Sequence, residues 1–137
     1  MPSISGEATL FNPDPSHYLP HRSPFLFVDR IITLEPGVCA TGEVVVTAGC
    51  GCFPPVLLLE SMAQLGGIAA GQQEGAGGVL AAIERGELPA AVPAGARLLV
   101  ATRIVKSFGT LHLVEGEVRS EGKVIASATL TLAVGKM

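Results

Sequence analysis

The stretch PPVLLLESMAQLGGIAAGQQ, residues 54–73, is rich in Leu, Ala and Met and opens on two prolines, which a first helical turn tolerates. It predicts a helix over about residues 55–73. The run approaches the length of a membrane span, but Glu60, Ser61, Gln64 and Gln72, with Gly66, Gly67 and Gly71, argue for burial inside protein instead. A helix this apolar needs a sheet wrapped around it.

The flanking sequence supplies strands. Upstream, FLFVDRIITL (25–34) is β-branched and aromatic, Pro36-Gly37 is a turn signal, and VCATGEVVVT (38–47) reads as the second strand of a hairpin. Downstream, GAGGVLAAIERGELPAAVPAG (75–95) mixes turn glycines with a short apolar strand around residues 79–83. RLLVATRIVK (97–106), TLHLVEGEVRS (110–120) and KVIASATLTLAV (123–134), separated by Gly109 and by Glu121-Gly122, then form an antiparallel meander. In the last of these strands every even position from 124 to 134 is apolar, a period of two that predicts one buried face. The pattern is α+β in a single domain spanning residues 1–137. Residues 1–17, with Pro2, Pro13 and Pro15, read as an extended or turning lead-in.

Composition narrows the function. Charged residues make up 15% of the 137, against about 25% in ordinary soluble domains, while 48% are hydrophobic and 17 are glycine. A domain of this size buries only about 70% of its unfolded surface alone, so the apolar excess predicts cover from a second subunit or an apolar ligand. The net charge is −3 and neither sign clusters, which leaves no footprint for nucleic acid or an anionic membrane. The N-terminal residues show no basic region followed by an apolar one, so a cytoplasmic setting is expected. Cys39, Cys50 and Cys52 read as free thiols. His17, His21 and His112 lack zinc-site spacing, and neither a metal nor another cofactor is expected.

Between Glu43 and Glu74 no Asp, Glu, Lys, Arg or His occurs except Glu60. Ser61 and Gln64, at i+1 and i+4 on the expected helix, are polar neighbours expected to share its face. Apolar surroundings disfavour the charged form of a carboxyl group, which suits it to proton transfer near neutral pH.

These residues carry a family resemblance. YLPHRSPFLFVDRIITLEPG (18–37), GCFP (51–54), VLLLESMAQLGG (56–67), LAAIERGELPAAVPAGARL (80–98) and EGKVIASATLTL (121–132) together resemble the β-hydroxyacyl-acyl carrier protein dehydratases, the FabZ-type branch of the hot-dog superfamily. The resemblance implies a curved antiparallel sheet wrapped around one long central helix, with two protomers joined edge to edge or assembled further into an oligomer of dimers. It also implies an acyl-ACP or acyl-CoA thioester as partner. In that chemistry a histidine removes the C2 proton of a 3-hydroxyacyl thioester, and a carboxylic acid on the partner protomer's helix protonates the departing C3 hydroxyl. Backbone N–H groups near the helix start would polarise the thioester carbonyl. Glu60 matches the helix acid, and Phe53, Pro54, Val56 and Gln64 match positions that meet substrate.

The chain departs from the family's pattern at the base. Where the family has Gly-His-Phe-Pro, this sequence has Gly51-Cys52-Phe53-Pro54, so the second catalytic position, Cys52, carries a thiol in place of the imidazole. Loss of a positioned general base typically costs about 10²–10⁴ in rate. Pro54 also runs directly into Pro55 and Val56, without the family's intervening Gly-x-Pro-x-x-Pro-Gly loop, and neither proline has an N–H to offer. Pro93-Ala94-Gly95-Ala96 lacks the family's aspartate after Pro-Gly. The sequence therefore predicts a protein that binds acyl thioesters, with dehydration impaired or dependent on a partner. Two alternatives stand beside it: a thioesterase that uses Glu60 alone, and a catalytically silent subunit of a hetero-oligomeric dehydratase.

Overall fold

The computed structural model describes residues 11–18, 27–46, 53–70 and 76–136. Six strands, β1 (Arg30–Glu35), β2 (Cys39–Val45), β3 (Ala76–Glu87), β4 (Arg97–Phe108), β5 (Leu111–Ser120) and β6 (Lys123–Lys136), form one antiparallel sheet in the order β1-β2-β4-β5-β6-β3. The hairpin β1–β2 and the meander β4–β5–β6 appear where their turn signals predict them. Gly37, Gly109 and Gly122 hold positive φ in those turns, a conformation that costs glycine nothing.

Among the described residues one α-helix, α1 (Leu57–Ala69), packs against β2, β3, β4, β5 and β6. Every residue from Ser61 to Ala69 is buried, the expected state for a helix apolar on all sides. The helix is shorter than the sequence predicts. At its start the N–H groups of Leu57, Leu58 and Leu59 bond the carbonyls of Pro54, Pro55 and Val56 at 3.0 Å, a tight turn in which the prolines serve as acceptors only. At its end the Ala69 carbonyl accepts the N–H of Gly37 at 2.7 Å, so the β1–β2 turn satisfies an otherwise orphaned helix carbonyl. Residues 71–73 of the expected helix lie outside the described residues.

The sheet comes unusually close to the helix at two glycines. A Cβ on Gly66 would stand 2.9 Å from Leu132 Cδ1, and one on Gly116 would stand 2.8 Å from Met62 Sδ. Leu58, Met62, Leu65 and Ile68 of α1 fill the core with Leu98, Val100, Val114, Leu130 and Leu132.

Two expectations about the strands need correction. The strand placed at 79–83 runs over Ala76–Glu87, and register shifts at Leu80/Ala82 and Ile83/Arg85 break the alternation by which its full length would be recognised. In β6 the even positions from Ala126 to Val134 are buried as predicted, but Val124 is 44% exposed. The register there jumps from Val118↔Ala126 to Arg119↔Val124, and the extra residue turns Val124 to the other face. In the lead-in, Pro15–His17 forms a 3-10 turn, begun by Asp14, whose side chain accepts the Ser16 N–H at 3.0 Å.

Candidate active site

The first turn of α1 opens onto a cleft of about 640 Å³ lined by Phe27, Val56, Leu57, Leu59, Glu60, Leu80 and Ile83. Three parts of the chain build it: the segment leading into β1, the start of the helix, and the bulged middle of β3. Its walls are aliphatic and aromatic. Among the described residues Glu60 is the one titratable side chain in that lining, and it is half-buried.

Glu60 and Gln64 lie one helical turn apart and therefore on the same face. The Gln64 side chain donates from Nε2 to Glu60 Oε1 at 3.3 Å, and its Oε1 accepts the backbone N–H of Phe27 at 2.7 Å. Gln64 is itself only 3% exposed. Ser61, expected to share this face, instead turns into the core and donates to the Leu57 carbonyl at 3.2 Å. The reason is the helical rotation between adjacent residues, which takes i and i+1 to different faces.

The remaining expected site residues divide. Val56 lines the cleft and is 57% exposed, whereas Phe53 packs half-buried against the core and Pro54 is exposed, neither in the cleft lining. Cys52 and His21 lie outside the described residues. Pro54 and Pro55 have no N–H and the amides of residues 57–59 are spent on the turn, so within 54–59 only Val56 keeps an amide not used there. His112, half-buried on β5, pairs its Nδ1 with Ser107 Oγ at 2.8 Å and has no part in the cleft.

Sequence reasoning missed Phe27, Leu57, Leu59, Leu80 and Ile83. Phe27 sits in a hydrophobic run that reads as ordinary strand, and the β3 pair is hidden by the irregular register of that strand. A second hollow, of about 410 Å³, lies among Arg85, Arg103, Glu115, Glu117, Ser127 and Thr129, where Arg103 is paired with Glu115 and Arg85 with Glu87. No helix among the described residues is long and apolar enough to cross a membrane.

No protein-family model matches the chain. It is, however, 34% identical over a 130-residue alignment to the 3-hydroxyacyl-[acyl-carrier-protein] dehydratase FabZ of Streptococcus sanguinis (strain SK36), covering 86% of this chain and 93% of that one. Among solved structures, the dehydratase heterocomplex ApeI:P from Xenorhabdus doucetiae aligns with a TM-score of 0.79 at 21% identity, over 90% of this chain and 91% of that chain. The mutant thioesterase PA1618 from Pseudomonas aeruginosa aligns with a TM-score of 0.62 at 16% identity, over 79% and 81%. This chain, with its helix against a six-stranded antiparallel sheet, shares the hot-dog fold of these two structures. With a curated relative of that similarity running along nearly its whole length, the chain belongs to the FabZ-type 3-hydroxyacyl-[acyl-carrier-protein] dehydratase family.

Proposed function

We propose that this protein binds 3-hydroxyacyl thioesters on acyl carrier protein or coenzyme A in the α1 cleft, with Glu60 as the acid for the departing hydroxyl and Cys52 where the base would stand. One observation carries the reading: a half-buried carboxyl group at the mouth of an otherwise apolar cleft, on the helix position at which the family has its acid. An aliphatic wall suits an acyl chain, and the acid lies where that chain would meet the helix start.

Dehydration by this chain alone is slow. A free thiol of pKa about 8.5 is mostly protonated at pH 7 and is a better nucleophile than proton shuttle. Carbonyl polarisation is also reduced, since the helix start has little amide left to donate beyond Val56. Both deficits favour dependence on a partner. That the ApeI:P dehydratase of the same fold is a heterocomplex supports a hetero-oligomer in which this chain is the incomplete subunit.

The sheet ends at β3, whose outer edge has no strand beside it among the described residues, and Ile83 on that strand and Leu88 just past its end are 48% and 38% exposed. Exposed edges invite pairing. A second subunit on this edge, whether a like chain in a homodimer or larger oligomer or an unlike one, would cover that apolar surface beside Leu80 and Ile83 of the cleft. The setting proposed for this chemistry is the cytoplasm.

The test follows enoyl absorbance from a short 3-hydroxyacyl thioester, with free thiol monitored in parallel. The account expects low wild-type dehydration, lost in Glu60→Gln with folding intact, and little thiol release. Full dehydration by Glu60→Gln would refute it. Thiol release far above enoyl formation would put the thioesterase reading in its place.

A further inference from the structure

The two edges of the sheet are built differently. β3 runs for 12 residues with no strand on its outer side among the described residues. Beside β1, at the other edge, lies the lead-in. The Ile31 N–H donates to the Pro13 carbonyl at 2.9 Å, Phe11 and Tyr18 pack against the core, and Pro15 between them is buried. Directly after this contact β1 bulges, its register with β2 jumping between Ile31 and Thr33.

A further strand could add on this side only if the lead-in offered it N–H donors, since a ladder is made of them. The Asn12 N–H donates to Tyr18 Oη at 3.2 Å, the Asp14 N–H to Asn12 Oδ1 at 2.9 Å and the Ser16 N–H to Asp14 Oδ1 at 3.0 Å. Pro13 and Pro15 have no N–H. From residue 12 to residue 16 every backbone donor is therefore spent within the segment or missing.

We infer that residues 12–18 form a strap that closes the β1 edge to strand addition and so confines assembly to β3. With both edges open, β3 of one copy could pair with β1 of the next, a head-to-tail contact that leaves an edge free at every step and grows into a filament. With β1 closed, β3 of one copy can meet only β3 of another, and strand pairing ends at two chains. The closing of β1 stands on its own geometry, and its effect on assembly rests on the proposed pairing through β3.

Tyr18→Phe and Asp14→Ala, each in the full chain, take acceptors from the strap and leave the residues of the sheet in place. Hydrogen exchange at the Ile31 amide, read by nuclear magnetic resonance, should be slow in wild type and about 5–30-fold faster in each variant, the range that a lost capping bond carries. Sedimentation velocity should give a wild-type size independent of concentration and, in the variants, species that grow with concentration. Adding Ile83→Lys, which sets a charge on the β3 edge, should end that growth. Unchanged Ile31 exchange in the folded variants, or growth that survives Ile83→Lys, would overturn the inference, as would variants with fast Ile31 exchange that keep the wild-type size at every concentration. A wild type that stays monomeric would remove the pairing through β3, and the Ile31 exchange would still decide whether the strap closes β1.

Discussion

The two parts of α1 are built from nearly the same residue types and meet different surroundings. Val56, just ahead of the first turn, is 57% exposed and Glu60 is half-buried beside an open cleft, whereas Ser61 through Ala69 are all buried. The enclosed part spends its side chains on packing, down to Gly66, which leaves no room for a Cβ against Leu132. The first turn leaves the sheet incompletely covered, and the one carboxyl in the cleft lining among the described residues lies there. Stability and the proposed chemistry thus fall on adjacent turns of one helix.

That division can be broken by substitution. Leu65→Ala, in the enclosed part and fully buried, should cost about 2–5 kcal/mol in denaturant unfolding. Val56→Ala at the cleft should stay within about 0.5 kcal/mol, as surface changes do, while altering acyl-thioester KM. Equal losses at the two sites would erase the distinction. Gly66→Ala should cost about 1–3 kcal/mol through overpacking, since its Cβ would meet Leu132 Cδ1 at 2.9 Å and Val114 Cγ1 at 3.2 Å. A stabilised Gly66→Ala would mean the helix and sheet are less tightly apposed than the geometry requires.

The smallest effect lies away from both parts of the helix. Arg97 on β4 hydrogen-bonds Glu43 on β2 at 2.8 Å and holds its carboxyl below the ordinary value, with the Coulombic pull of Arg97 and Arg30 adding to the hydrogen bond and burial opposing them. A lowered folded pKa means the pair stabilises above the unfolded value of about 4.3 and loses that contribution as pH falls through the folded pKa. Arg97→Gln should narrow the acid dependence of the unfolding midpoint slightly, and Glu60→Gln should leave this part of it in place. If Glu60→Gln alone removed it, the acid sensitivity would belong to the cleft rather than to this ion pair.

Much of the fold is legible because its signals are local. Alternation in β6, the Glu121-Gly122 turn and the all-round apolarity of 57–69 each follow from neighbours in the chain. Where a bulge intervenes, as at Val124 and twice in β3, the period of two fails and the length or facing of the strand is misread. The cleft is harder still. Glu60 stands out as the single charge in a long apolar stretch, but Phe27, Leu80 and Ile83 join it only through tertiary packing, and nothing near them in sequence marks them as a wall. The bond between Gln64 and the Phe27 backbone spans 37 positions and has no sequence signature.

The central claim is that this chain keeps the acid of a dehydratase site and lacks its base, and restoring the base tests it most directly. Cys52→His, assayed by enoyl absorbance on a short 3-hydroxyacyl thioester with folding checked by circular dichroism, should raise dehydration measurably. The ceiling is the 10²–10⁴ that general-base catalysis is worth, about 10²–10⁴ over wild type, reduced by up to about 10²-fold if the shortened run into Pro55 displaces the imidazole by about 1 Å. The gain should vanish in Cys52→His combined with Glu60→Gln. No gain in a folded Cys52→His protein, or wild-type dehydration already as fast as the variant's, would contradict the account.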